Sequence, residues 1–170
     1  LKDAETLQHE FVSPENRVTN SISKFLNPKC ISCSLEGNTK DEILSEMVNL
    51  LSNSGKVKDK TKILEEINAR EKVMSTGIEK GIAFPHVRSH EVSDVCVAVG
   101  IKKNGVDFKS LDGQPSKIFV MIVSPDADSS PLMRVMSAFS GALMHIEIKA
   151  KLLTAKTPEE VIEILKEAKK

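Results

Sequence analysis

The sequence predicts an α/β domain whose central sheet is covered by helices on both faces. Val95 to Ile101 and Ile118 to Val123 are near-continuous apolar runs rich in β-branched residues, the pattern of strands buried on both sides. Around them lie stretches whose apolar residues recur at helical spacing, so strands and helices are interspersed along the chain. At 170 residues the chain is long enough to bury one substantial core.

Residues 1 to about 20 mix polar side chains with Pro14 and show no sustained period, so 1–21 reads as a tail or arm ahead of a domain spanning 22–168. Cys30 to Leu35 reads as a short strand closed by Glu36-Gly37-Asn38. Thr39 and Glu42 form a capping box for a helix carrying Ile43, Met47, Leu50 and Leu51, with Gly55 as its stop. A second helix starts at Asp59, buries Ile63, Leu64 and Ile67, and runs toward Arg70. Ser75-Thr76-Gly77 and Gly81 then break the chain, and Ile82-Ala83-Phe84 reads as a strand end delivering Pro85-His86 into a loop. Asn104-Gly105 is a turn signal, the segment 106–115 is turn-rich, and Pro125 ends the second apolar strand. From Ser130 a helical stripe runs through Val135, Met136, Phe139, Ala142 and Leu143, with Met133, Met136 and Met144 expected in core packing. Thr157-Pro158-Glu159-Glu160 supplies a cap and first-turn proline for a last helix with Val161, Ile164 and Leu165 facing inward.

Composition removes several functions. Lys plus Arg and Asp plus Glu both total 24, so no net field draws the chain to a polyanion or a membrane surface. With no Trp, no Tyr and six Phe there is little to stack on bases, which argues against nucleic acid as a partner. No run of 18 apolar residues and no signal-peptide pattern is present, so neither membrane insertion nor secretion is expected and the chain reads as cytoplasmic. Three cysteines do not make a disulfide framework, and on an extended strand the C-x-x-C of Cys30 and Cys33 sends its thiols to opposite faces, so no metal is expected.

The sharpest local feature is Gly81-Ile-Ala-Phe-Pro-His86-Val-Arg88. It holds one imidazole directly after a residue of fixed φ, with a guanidinium two positions on. A nucleophilic imidazole needs one nitrogen unprotonated, the other oriented by a hydrogen bond, and cations near the arriving group. A lone histidine of this kind is also compatible with a satisfied polar residue. His86 and His90 are four apart, but Pro85 speaks against the helix that would bring both to a metal, and a solvated His90 is the simpler reading. His9 and His145 read as structural or exposed, and Asp107 and Asp112 as turn formers.

The stretch from Arg70-Glu71-Lys72 through Ser75-Thr76-Gly77 to Ala83-Phe84-Pro85-His86 resembles the signature of the fructose/mannitol/nitrogen-type enzyme IIA family of the bacterial phosphotransferase system. Segments 106–115, 118–123 and 152–161 are similar to that family in the same order, so the resemblance spans about residues 22 to 168. It implies a mixed central sheet flanked by helices on both faces and a phosphotransferase of the phosphohistidine-carrier kind that needs no cofactor. His86 then accepts a phosphoryl group from an HPr-type phosphocarrier protein and passes it to an enzyme IIB, or the chain acts on a regulated protein as nitrogen-type members do. Arg70 falls on the family's arginine that pairs with the phosphoryl oxygens, and Arg88, Ser75 and Thr76 are further phosphoryl-binding candidates. Two departures stand out. Val87 replaces the glycine that follows the family's histidine, and Leu132 occupies the place of its second histidine. They imply slower transfer, and leave as an alternative a regulatory binding module with a degenerate active site. An unrelated α/β enzyme sharing only the loop is a third reading. No sugar is legible in the sequence.

Overall fold

The computed structural model describes residues 22–127 and 130–167. The expected tail lies outside them. Residues 22–25 form a helical turn, followed by a 3-10 turn, Pro28–Cys30, and a two-residue strand β1, Ile31–Ser32. The strand expected from Cys30 to Leu35 is thus shorter, because Pro28 starts a helical turn that Asn27 caps by accepting from the Lys29 amide. Leu35 rejoins the sheet by donating its N–H to the Ile101 carbonyl at 2.9 Å.

Helix α1 is Lys40–Ser52 and α2 is Lys60–Val73. Thr39 Oγ1 accepts from the Glu42 amide at 3.2 Å, while the Glu42 carboxylate reaches back one residue further than expected, to the Asn38 amide at 2.8 Å. Asp59 caps α2 through the amides of Thr61 and Lys62. Strands β2, Ile82–Ala83, β3, His86–Ser89, β4, Cys96–Val106, and β5, Ser116–Pro125, are followed by α3, Ser130–Leu143, α4, Ile146–Thr154, and α5, Pro158–Glu167. No helix among the described residues is long and apolar enough to cross a membrane.

The sheet is mixed. β4 and β5 pair antiparallel, β1 lies parallel to β4, and β2 and β3 both lie parallel to β5. Alternation along β5 divides the core. Ile118, Val120 and Ile122 pack with α3, α4, α5 and Ile22, whereas Phe119, Met121 and Val123 pack under α1 and α2. Cys30 falls in the second cluster and Cys33 borders the first, so the two thiols do face opposite ways. Burial pushes the thiols of Cys30, Cys33 and Cys96 above their ordinary range.

Three further expectations are corrected. Asn104-Gly105 is not a turn but a bulge within β4. The register shifts between Ile101 and Val106, and Gly105 takes φ +76° where a Cβ would meet the Pro115 Cβ at 2.8 Å. His86 does not sit in a loop; it opens β3. Met133 and Met144 are exposed, because the stripe that α3 buries runs through Leu132, Val135, Ala138, Phe139 and Ala142 and leaves position 133 outward, while Met144 follows the helix end.

Gly100, in the middle of β4, lets α1 settle on the sheet. A Cβ there would come within 2.6 Å of Met47 Sδ and 2.7 Å of Leu35 Cδ1. Gly100→Val should therefore lower unfolding free energy by about 1–3 kcal/mol through overpacking, seen as a lower urea midpoint with an unchanged m-value.

Candidate functional site

The edge strand on β5 is interrupted but never slips. Ile82 pairs with Ile118, Ala83 with Phe119, His86 with Ile122 and Val87 with Val123, one constant offset on both sides of Phe84-Pro85. The break reflects chemistry rather than geometry. Pro85 has no N–H to give to the ladder, yet its carbonyl still accepts from the Ile122 amide at 3.0 Å. His86 is therefore held as firmly as any strand residue.

Its outer neighbour is the segment after α2. Gly77 bridges Ala83 in antiparallel sense, Ile78 N–H donates to the Ile82 carbonyl at 2.9 Å, and Phe84 N–H donates to the Thr76 carbonyl at 3.0 Å. The Phe84 carbonyl faces the His86 ring, with Nδ1 at 2.8 Å. A carbonyl can only accept, so Nδ1 carries the proton in the neutral ring and the lone pair lies on Nε2. His86 is half-buried, and it shares a sheet face with Ile122, whose cluster also contains Leu132 at the start of α3. Val87 points to the other face and packs against the α1/α2 cluster.

The remaining candidates separate by what their side chains do. Arg70 lies in the last turn of α2, half-exposed, with one guanidinium nitrogen donating to the Met74 carbonyl at 3.2 Å. Arg88 is exposed on β3, in register with Ser124. Ser75 and Thr76 spend their hydroxyls on the fold. Ser75 Oγ donates to the Phe108 carbonyl at 2.6 Å, and Thr76 Oγ1 donates to the Glu71 carboxylate, which also accepts the Thr76 amide. His90 is solvent-exposed with Nε2 at 3.0 Å from an Asp126 carboxylate oxygen. Asp107 and Asp112 accept backbone amides of Lys109 and Gln114, and Asp112 also that of Lys80. The Lys80 and Gln114 amides hold the Asp112 carboxyl below its ordinary range. His145 caps α4 by backbone alone.

The sequence reading passed over Glu71. Its side chain is 5% exposed and pairs with Lys40 Nζ at 2.7 Å. The signal was present in the spacing, because Ile63, Ile67 and Glu71 recur every four residues on the buried stripe of α2. Lys40 in turn lies 4.8 Å above the Phe108 ring.

Known proteins share this frame. The family described as Phosphoenolpyruvate-dependent sugar phosphotransferase system, EIIA 2, matches residues 24–168. The chain is 35% identical over 144 residues to a PTS system fructose-specific EIIABC component of Bacillus subtilis, covering 85% of this chain and 23% of that protein. It is 33% identical to a PTS system fructose-specific EIIA component of Haloferax volcanii, covering 76% of this chain and 84% of that one. The chain thus spans under a quarter of the first relative and most of the second. Among solved structures, nitrogen regulatory protein IIA-Ntr of Neisseria meningitidis superposes with a TM-score of 0.78 at 28% identity, over 85% of this chain and 98% of the other. IIA mannitol of Escherichia coli, at 21% identity and a TM-score of 0.72, shares the fold over 82% of this chain and 98% of its own. From a match that takes in the whole sheet, both helical layers and the His86 strand, it follows that the chain belongs to the EIIA 2 family of the phosphoenolpyruvate-dependent sugar phosphotransferase system, a family of phosphocarriers.

Proposed function

We propose that His86 Nε2 is the phosphoryl acceptor, taking the group from a phosphohistidine on an HPr-type protein and yielding it to an enzyme IIB or a regulated protein. One observation carries this reading: the 2.8 Å contact from Nδ1 to the Phe84 carbonyl leaves the reactive lone pair on the other nitrogen, on a strand that cannot shift. In the transfer a bond from Nε2 to phosphorus forms as the donor's nitrogen–phosphorus bond breaks, and the donor imidazole takes back the electron pair. One neutral imidazole replaces another, so no proton has to move and no cofactor is required. Catalysis then reduces to orientation and charge stabilisation.

Arg70 is the cation we assign to the phosphoryl oxygens. A single bond to the Met74 carbonyl occupies one of its five N–H donors, leaving a fork suited to two phosphoryl oxygens. Arg88 is the secondary candidate, exposed two positions beyond His86 on the same strand. Ser75 and Thr76, with their hydroxyls bonded inward, contribute by fixing the backbone that holds Phe84. The place of the family's second histidine is filled by Leu132, buried in the apolar cluster, so transfer runs with fewer donors around the phosphoryl group. Whether the phosphoryl goes on to sugar transport or to regulation is a matter of partner. A fructose-type assignment draws on the 35% and 33% relatives, and a nitrogen-type assignment on a nitrogen regulatory protein of Pseudomonas aeruginosa at 28% identity.

Incubation with phosphoenolpyruvate, enzyme I and HPr should give an acid-labile, base-stable phosphoryl adduct that disappears in His86→Ala. Label that survives the substitution, or that maps to His90, removes the assignment. Arg70→Ala should slow phosphorylation by about 10²-fold with thermal unfolding unchanged, and Arg70→Lys should recover part of it. Equal rates in all three chains return Arg70 to the surface. Leu132→His should raise the transfer rate by an amount approaching about 10²-fold, and lower stability by about 1–3 kcal/mol because it places an imidazole in an apolar site. If neither chain is phosphorylated, a non-transferring regulatory module becomes the better reading.

A further inference from the structure

A buried carboxylate is linked to the His86 imidazole by hydrogen bonds that run through Thr76 and Phe84. Glu71 accepts both the amide and the hydroxyl of Thr76. The Thr76 carbonyl accepts the Phe84 amide at 3.0 Å, and the Phe84 carbonyl meets His86 Nδ1 at 2.8 Å. We propose that Glu71 is a positioning residue for phosphoryl transfer, setting the orientation and tautomer of His86 through Thr76 and Phe84. This rests on His86 being the acceptor.

The Glu71 end of this line is firmly held. Its carboxylate is nearly inaccessible and is compensated by Lys40 at 2.7 Å. Lys40 sits over the Phe108 ring, and the carbonyl of that same Phe108 takes the Ser75 hydroxyl. Phe108 is fully buried, so Lys40, the partner of Glu71, and Ser75, the chain neighbour of Thr76, are both held against the core. The middle of the line has no slack either. Phe84 is buried between the Thr76 carbonyl and the imidazole, and Pro85 behind it allows only a narrow range of φ. A shift of Thr76 therefore moves Phe84, and with it the acceptor that keeps the proton on Nδ1. The arrangement does for a tautomer what a carboxylate bonded directly to an imidazole does elsewhere, with two residues interposed.

All of the neighbours that converge on Glu71 are donors: the Thr76 amide, the Thr76 hydroxyl and the Lys40 ammonium. Glu71→Gln keeps the shape but turns two donor hydrogens toward them, so it should disturb the line without emptying a cavity. The test combines the tautomer of His86, read from its ring nitrogen chemical shifts, with phosphorylation kinetics from phospho-HPr. In Glu71→Gln the form protonated on Nε2 should become populated. The rate at saturating phospho-HPr should fall about 10-fold while the half-saturating concentration stays where it is. Thr76→Val, which deletes only the hydroxyl, should shift both readouts the same way by less, and Thr76→Ser should restore them. If Glu71→Gln does not fold, the valine and serine pair carries the test. A fall in rate with the tautomer unmoved makes Glu71 a residue of the fold and overturns the relay, as does an unchanged rate and tautomer. The tautomer measurement needs no phosphoryl donor, so it separates failure of the relay from failure of His86 as acceptor, which would show as label elsewhere on the parent chain.

Discussion

The pairing of β5 with an edge strand that keeps one register across a proline is the constraint on which the rest of this structure depends. Register in a sheet is normally set by which side chains must be buried, and a slip of one residue would turn every side chain to the opposite face. Here Ile82, Ala83 and Phe84 are buried before the break and Ser89 after it, so both ends are anchored to the core. The four residues between them, Pro85 to Arg88, have no freedom to choose another face. The His86 imidazole gains a fixed direction from side chains that only fill the core.

That constraint also distributes work between the two layers. The α1/α2 layer carries Lys40, Glu71 and Arg70 on its helices. The opposite layer supplies apolar bulk, with Leu132, Val135 and Phe139 closing over the face that carries His86. At the place we assign to the family's second histidine, this layer offers Leu132, buried among apolar side chains.

The buried strands, the caps at Thr39, Asp59 and Thr157, and the two helical layers were legible because each rests on a local pattern: continuous β-branched runs, a side-chain oxygen before a helical stripe, a period near 3.6. What was not legible involved contacts between distant segments. Asn104-Gly105 has the composition of a hairpin turn, but the positive φ at Gly105 serves a bulge that lies against Pro115, ten residues on. Pro85 reads as the end of a strand, and only β5 shows that the strand resumes. At the site, the residue type and place of His86 could be read from motif and resemblance. The hydrogen bonds that orient it could not, since the Phe84 carbonyl is a backbone atom and has no sequence signature. Glu71 was within reach of periodicity, but a charged residue on a buried stripe is easily taken for the stripe's end.

The segments that flank the edge strand have a consequence for self-association. An open sheet offers its border backbone groups to any second copy, and natural proteins blunt that risk with short or covered edges. One border here is β1, only two residues long. On the other, the outward groups of residues 82 and 84 are already bonded to 78 and 76, and those of 91 and 93 are reached by the strip at 56–58. Between those two covers lies His86–Ser89. A neighbour's extended strand would find room on this border for no more than four residues, which works against polymerisation through it.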